Sequence, residues 1–114
     1  MIAASPQHLA RAAFAAAFAL TAATLAPHVR AKGRAEIAMK NVAFAPAQVT
    51  VQVGDTVAWN NADIVAHTAT STQGGFDVSV APGGKASAVM TRPGTFAYLC
   101  RYHPNMRGQI VVKP

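Results

Sequence analysis

Near its end the chain reads Cys100-Arg101-Tyr102-His103-Pro104-Asn105-Met106, a C-x2-H-x2-M spacing. A second histidine, His67, lies well upstream. Thiolate and imidazole are soft and borderline donors, and thioether is a weak one. Two imidazoles and one thiolate in a trigonal arrangement, with a long axial thioether, make an electron-transfer copper site. The thiolate bonds strongly and covalently. The imidazoles suit both Cu(II) and Cu(I), and the thioether favours Cu(I). His67, Cys100, His103 and Met106 are therefore the candidate metal ligands, for one copper ion per chain. Zn(II) takes the same nitrogen and sulfur donors but is redox-silent.

Each of these residues also has a plain reading. A cysteine after a strand is often a buried core thiol. Met106 can pack without ligating, and a histidine is commonly structural or solvated. A nucleophile and base built from Cys100 and His103 would be a thiol enzyme, but no orienting group or oxyanion motif accompanies the pair. No catalysis is expected. A copper-storing or copper-delivering protein is the alternative to an electron carrier, although such a role favours exposed His- or Met-rich tracts and the chain has none.

The residues before these elements look like an export signal. Ala12 to Ala26 runs AAFAAAFALTAATLA without a charge, between Arg11 and Arg30. That is the length of a signal-peptide core and is short of the roughly 20 residues of a membrane span. Val29 and Ala31 supply small residues for cleavage after Ala31. The expected organisation is a signal peptide over 1–31 and one domain over 32–114, with a periplasmic location and no stable membrane insertion. His8 and His28 leave with the signal, so His67 and His103 are the only histidines of the remaining domain.

The whole chain has 114 residues, a formal net charge of +6 and 12% charged residues. From residue 32 onward there are eight Lys and Arg against four Asp and Glu. A net charge this small, spread along the chain, argues against nucleic-acid binding. A single cysteine cannot form an internal disulfide, and a lone thiol in an oxidising compartment has to be buried or bound.

The elements that position the donors read as β. Gln48 to Val53 alternates with Val49, Val51 and Val53 on one face, a half-buried strand. Glu36–Lys40, Thr56–Asn60, Ala66–Ser71, Lys85–Met90, Thr95–Cys100 and Gly108–Lys113 are the other expected strands. Gly54-Asp55, Gly74-Gly75, Pro82-Gly83-Gly84 and Arg92-Pro93-Gly94 punctuate them. Seven or eight short strands with frequent turns indicate an all-β sandwich or small barrel. The C-x2-H-x2-M series then forms an end loop. His67, from another loop, is expected to close the site and tie the two sheets together.

Several stretches resemble the cupredoxins of the plastocyanin/amicyanin group. They are Val53-Gly54-Asp55-Thr56-Val57-Ala58-Trp59-Asn60, Ala66-His67-Thr68, Pro93-Gly94-Thr95-Phe96-Ala97-Tyr98 and Cys100 to Gly108. The short ligand loop is similar to the amicyanin form. The resemblance implies a Greek-key β-sandwich, a type 1 (blue) copper ion on His67, Cys100, His103 and Met106, and single-electron carriage as a monomer. Its partners would be redox proteins such as c-type cytochromes or a periplasmic dehydrogenase or reductase. They would dock at His103, where Arg101 and Arg107 suit acidic surfaces. Thr68 is a candidate to hydrogen-bond across to the Cys100 loop, and Tyr98 to make a corner hydrogen bond.

Overall fold

The computed structural model describes Ala3 and residues 32–114. The expected export segment, 1–31, otherwise lies outside the described residues. Nine strands are described, and no helix. They are β1 (Arg34–Met39), β2 (Phe44–Ala45), β3 (Gln48–Gln52), β4 (Thr56–Asn61), β5 (His67–Ser71), β6 (Asp77–Val80), β7 (Lys85–Val89), β8 (Gly94–Leu99) and β9 (Arg107–Lys113). The two beyond the seven legible in the sequence are β2, only two residues long, and β6, whose Val78 and Val80 alternate with polar residues.

The strands form two sheets, a four-stranded one ordered β2-β1-β4-β7 and a five-stranded one ordered β3-β9-β8-β5-β6. Pairing is antiparallel except for β1 with β4 and β3 with β9. Period-2 alternation gives each sheet one apolar face, and the two faces pack against each other. Ile37, Met39, Val57 and Trp59 come from the smaller sheet. Val51, Ala69, Val80, Phe96, Tyr98, Ile110 and Val112 come from the larger. Val53 departs from its expected face: β3 ends at Gln52, and Val53 is 42% exposed. The turn that follows places Gly54 at φ +92°, a conformation open to glycine. Asp55 fixes it, accepting from the Gly33 and Gln52 N–H groups at 2.7 and 2.9 Å.

Beside the strand end that leads to Cys100 lies an aromatic cluster. Tyr98 sits 4.5 Å from Phe44, 5.8 Å from Trp59 and 5.7 Å from Phe76, ring centroid to centroid. Its hydroxyl accepts a long hydrogen bond from Trp59 Nε1, at 3.4 Å, in place of the expected corner contact. Burial pushes the Tyr98 pKa up to about 12. Met39, Met90 and Trp59 are core residues, as expected from the sequence.

β8 and β9 are held at close quarters where Tyr98 pairs with Gly108. A Cβ at position 108 would collide with the Tyr98 ring, and the ring is fully enclosed. Gly108→Ala is therefore expected to destabilise the protein by about 1–3 kcal/mol, the range for overpacking. The check is a lowered denaturant midpoint with an unchanged slope. An unchanged midpoint would show that the ring has room to shift.

Candidate metal centre

β5 begins at His67, and β8 ends one residue before Cys100. Both strands belong to the larger sheet. This corrects the expectation that His67 ties the two sheets together. The chain crosses between the sheets over residues 62–66, before His67, so the candidate ligands gather at one end of a single sheet.

The β5–β8 ladder pairs Ser71 with Tyr98 and Thr70 with Leu99. Extended by two residues, that register would set Thr68 opposite Arg101. The strands are joined there through side chains. The Arg101 N–H donates to Thr68 Oγ1 at 2.8 Å, and the Thr68 N–H donates to Cys100 Sγ at 3.3 Å. Thr68 thus bridges to the Cys100 loop, as its position suggested. Its hydroxyl continues to Thr70 Oγ1 at 3.0 Å, and Thr70 donates to Asp77 at 2.7 Å. Asp77 in turn lies 3.5 Å from the Arg101 guanidinium.

The loop after Cys100 folds back on itself. The Met106 N–H donates to the His103 carbonyl at 2.8 Å, and the Cys100 N–H to the Met106 carbonyl at 3.0 Å. These bonds close the backbone from Cys100 to Met106 into a tight loop. His67, Cys100 and Met106 are buried, and His103 is half-buried. The ring nitrogens His67 Nδ1 and His103 Nδ1 each lie 3.7 Å from Cys100 Sγ. The donor atoms of the three residues all fall within 4.8 Å of one another.

This donor set fits a first-row transition-metal ion. Metal–nitrogen and metal–sulfur bonds of about 2.0 and 2.3 Å let two donors on one ion stand up to about 4.3 Å apart. The two nitrogen–sulfur separations of 3.7 Å satisfy that limit and are long for strong hydrogen bonds. The sulfur is also prepared as a thiolate. Burial opposes ionisation of Cys100, but N–H groups of Thr68 and Tyr102 and both imidazoles outweigh it, and the pKa falls from 9.0 to about 6. His67 behaves in a parallel way. Burial disfavours its charged form, yet hydrogen bonds to Asp63 and Cys100 hold its pKa above the usual 6.5.

One residue was not singled out from the sequence. Asp63 Oδ2 lies 2.7 Å from His67 Nε2, the ring nitrogen remote from the sulfur. An Asp four residues before a candidate ligand His, inside a crossover, is a weak signal without the fold.

Residues 10–112 match the model of the cupredoxin-like domain family. The chain is 31% identical over 116 residues to amicyanin-alpha of Methylorubrum extorquens, covering 92% of this chain and 98% of that protein. It is 30% identical over 89 residues to amicyanin of Paracoccus denitrificans, covering 73% and 68%. Among solved structures it is similar to a purple cupredoxin from Nitrosopumilus maritimus, with TM-score 0.63 at 26% identity, covering 69% of this chain and 99% of that one.

The thiol makes a direct test of the site's electrostatics. In the metal-free protein, Cys100 is expected to titrate near pH 6, read by thiolate ultraviolet absorbance. Because the folded pKa lies below that of the unfolded thiol, Cys100 adds stability that is full above pH 9.0 and is lost as pH falls toward 6. An ordinary thiol midpoint in the folded protein would mean that the surrounding N–H groups do not act on the sulfur.

Proposed function

The chain belongs to the cupredoxin-like family, in its amicyanin-like group, and on that premise we propose that it is a blue copper protein carrying single electrons between redox proteins in the periplasm. The observation that carries this reading is the convergence of His67 Nδ1, His103 Nδ1 and Cys100 Sγ at one end of the sandwich. Copper held there supplies a one-electron Cu(II)/Cu(I) couple. His67, Cys100 and His103 would provide the strong bonds, and the thioether of Met106, buried in the same loop, a weak one.

The chain's own residues do the rest. Thr68 and Tyr102 present N–H groups to the sulfur and damp its charge. Thr68 and the loop hydrogen bonds hold the donors in place, so that little has to move when the charge on the metal changes. Burial of Met106 and Cys100 excludes water. The same burial withholds the thiol from a substrate and the donors from ready exchange, which favours carriage over thiol catalysis or copper delivery. No helix among the described residues is long and apolar enough to cross a membrane. The periplasmic assignment rests on reading 1–31 as a cleaved export signal, with 32–114 as the functional domain.

His103 is the more exposed of the two histidines, and we place partner docking there. Tyr102, 60% exposed, lies beside it, with Pro104 also exposed. Arg101 and Arg107 are exposed at the two ends of the loop, Arg101 partly countered by Asp77. A carrier that must release its partner has a small contact, on the order of 1,200 Å² or less. Rim charges then act on encounter rate, toward an acidic surface such as that of a c-type cytochrome.

Two experiments test these readings. The copper-loaded, oxidised protein is expected to show intense thiolate-to-copper absorption that Cys100→Ala abolishes; colour retained in that variant would remove the site assignment. Arg101→Glu with Arg107→Glu is expected to slow electron exchange with an acidic cytochrome and to flatten its salt dependence, read by stopped flow over ionic strength. Wild-type rates independent of salt would leave both arginines as ordinary surface.

A further inference from the structure

We propose that Asp63 is a positioning residue of the metal centre, fixing His67 as the Nε2–H tautomer with Nδ1 turned to the ligand cluster, and lowering the reduction potential through its negative charge. This inference rests on the copper reading above.

The two nitrogens of His67 face different partners. Nδ1 points to Cys100 Sγ at 3.7 Å, and Nε2 lies 2.7 Å from Asp63 Oδ2. An ionised carboxylate only accepts hydrogen bonds. The carboxylate therefore keeps a proton on Nε2, so a metal would take the Nδ1 lone pair, displacing any proton that Nδ1 shares with the sulfur. A carboxylate behind a ligating imidazole also raises the basicity of the ligand. Added negative charge near the ion favours Cu(II) over Cu(I).

Asp63 is itself held from three directions. Its Oδ1 accepts the Asn41 N–H at 2.7 Å, and its Oδ2 also accepts the Val42 N–H at 2.9 Å. Its own N–H donates to Asn61 Oδ1 at 2.9 Å. Asn61 is buried, and its Nδ2 donates to the Val65 and Val80 carbonyls at 2.8 and 3.1 Å, which pins the crossover. Asn41 and Val42 both have positive φ, +53° and +57°. That conformation is costly for a β-branched residue, and it points two successive N–H groups at one anion. Val42 contributes most to holding the Asp63 carboxyl below its ordinary pKa, followed by His67. The link between the sheets that was expected of His67 thus runs through Asp63, from the β1–β2 turn to the ligand.

The plain alternative is that Asp63 only clasps that turn. Two variants of the full chain separate the readings. Asp63→Ala removes both the hydrogen bond and the charge. Asp63→Asn removes the charge and retains one acceptor oxygen for His67. In the metal-free protein at alkaline pH, where the ring is neutral, ring-nitrogen chemical shifts are expected to show a larger share of Nε2–H for His67 in the wild type than in Asp63→Ala. With copper, Asp63→Ala is expected to lose about 10- to 100-fold in Cu(II) affinity and less in Cu(I) affinity. A tenfold change in that ratio raises the potential by about 59 mV, and Asp63→Asn is expected to shift it in the same direction. If both variants keep the wild-type tautomer and potential while only their melting temperature falls, Asp63 is a turn clasp and the proposal is overturned. A wild-type protein that takes up no copper would instead overturn the copper reading, and the tautomer measurement distinguishes the two failures.

Discussion

The structure depends on how β5 and β8 part company. Two strands in register through Thr70 and Leu99 would continue as a ladder and leave no room between them. Thr68 prevents this. Its hydroxyl receives the Arg101 N–H, and its own N–H turns to the Cys100 sulfur. The strands stay connected while the backbone separates, and the gap is where the imidazoles and sulfur meet. A threonine suits this role because it fits a strand and also carries a hydrogen-bonding oxygen.

The rest of the sandwich keeps that gap from collapsing or widening. Tyr98 stands two residues before Cys100 and is wedged among Phe44, Trp59 and Phe76. Gly108 lets β9 approach its ring. A tightly packed interior resists small displacements, so the strand end that carries Cys100 has a rigid base. On the other side, Asn61 and Asp63 brace the crossover that delivers His67. The donors are thus mounted on a strand end, a strand start and a self-bonded loop.

Much of this was legible in the sequence. Alternating valines and Gly/Pro turns located seven strands to within a residue or two, because period 2 is a direct consequence of one buried face. The spacing of Cys100 and His103 is local, so their approach was readable too. Several features were not, the short strand β6 among them. β2 is too short for a pattern. The sheet to which β5 belongs depends on where the chain crosses over, and no local periodicity encodes that, so the role given to His67 was misplaced. Asp63 takes its meaning from Asn41 and Val42, about twenty residues away, whose left-handed conformations no glycine announced.

The thiolate shows why such bracing matters. A buried charge is costly unless hydrogen bonds meet it. Here the N–H groups of Thr68 and Tyr102 meet it before any metal does, and the Cys100 pKa falls to about 6 even though burial works against ionisation. Those donors are backbone groups, fixed by the fold and unable to rotate away. The sulfur is therefore charged and located by the protein itself. Hydrogen bonds of the fold, rather than a bound ion, would then set where the donors stand.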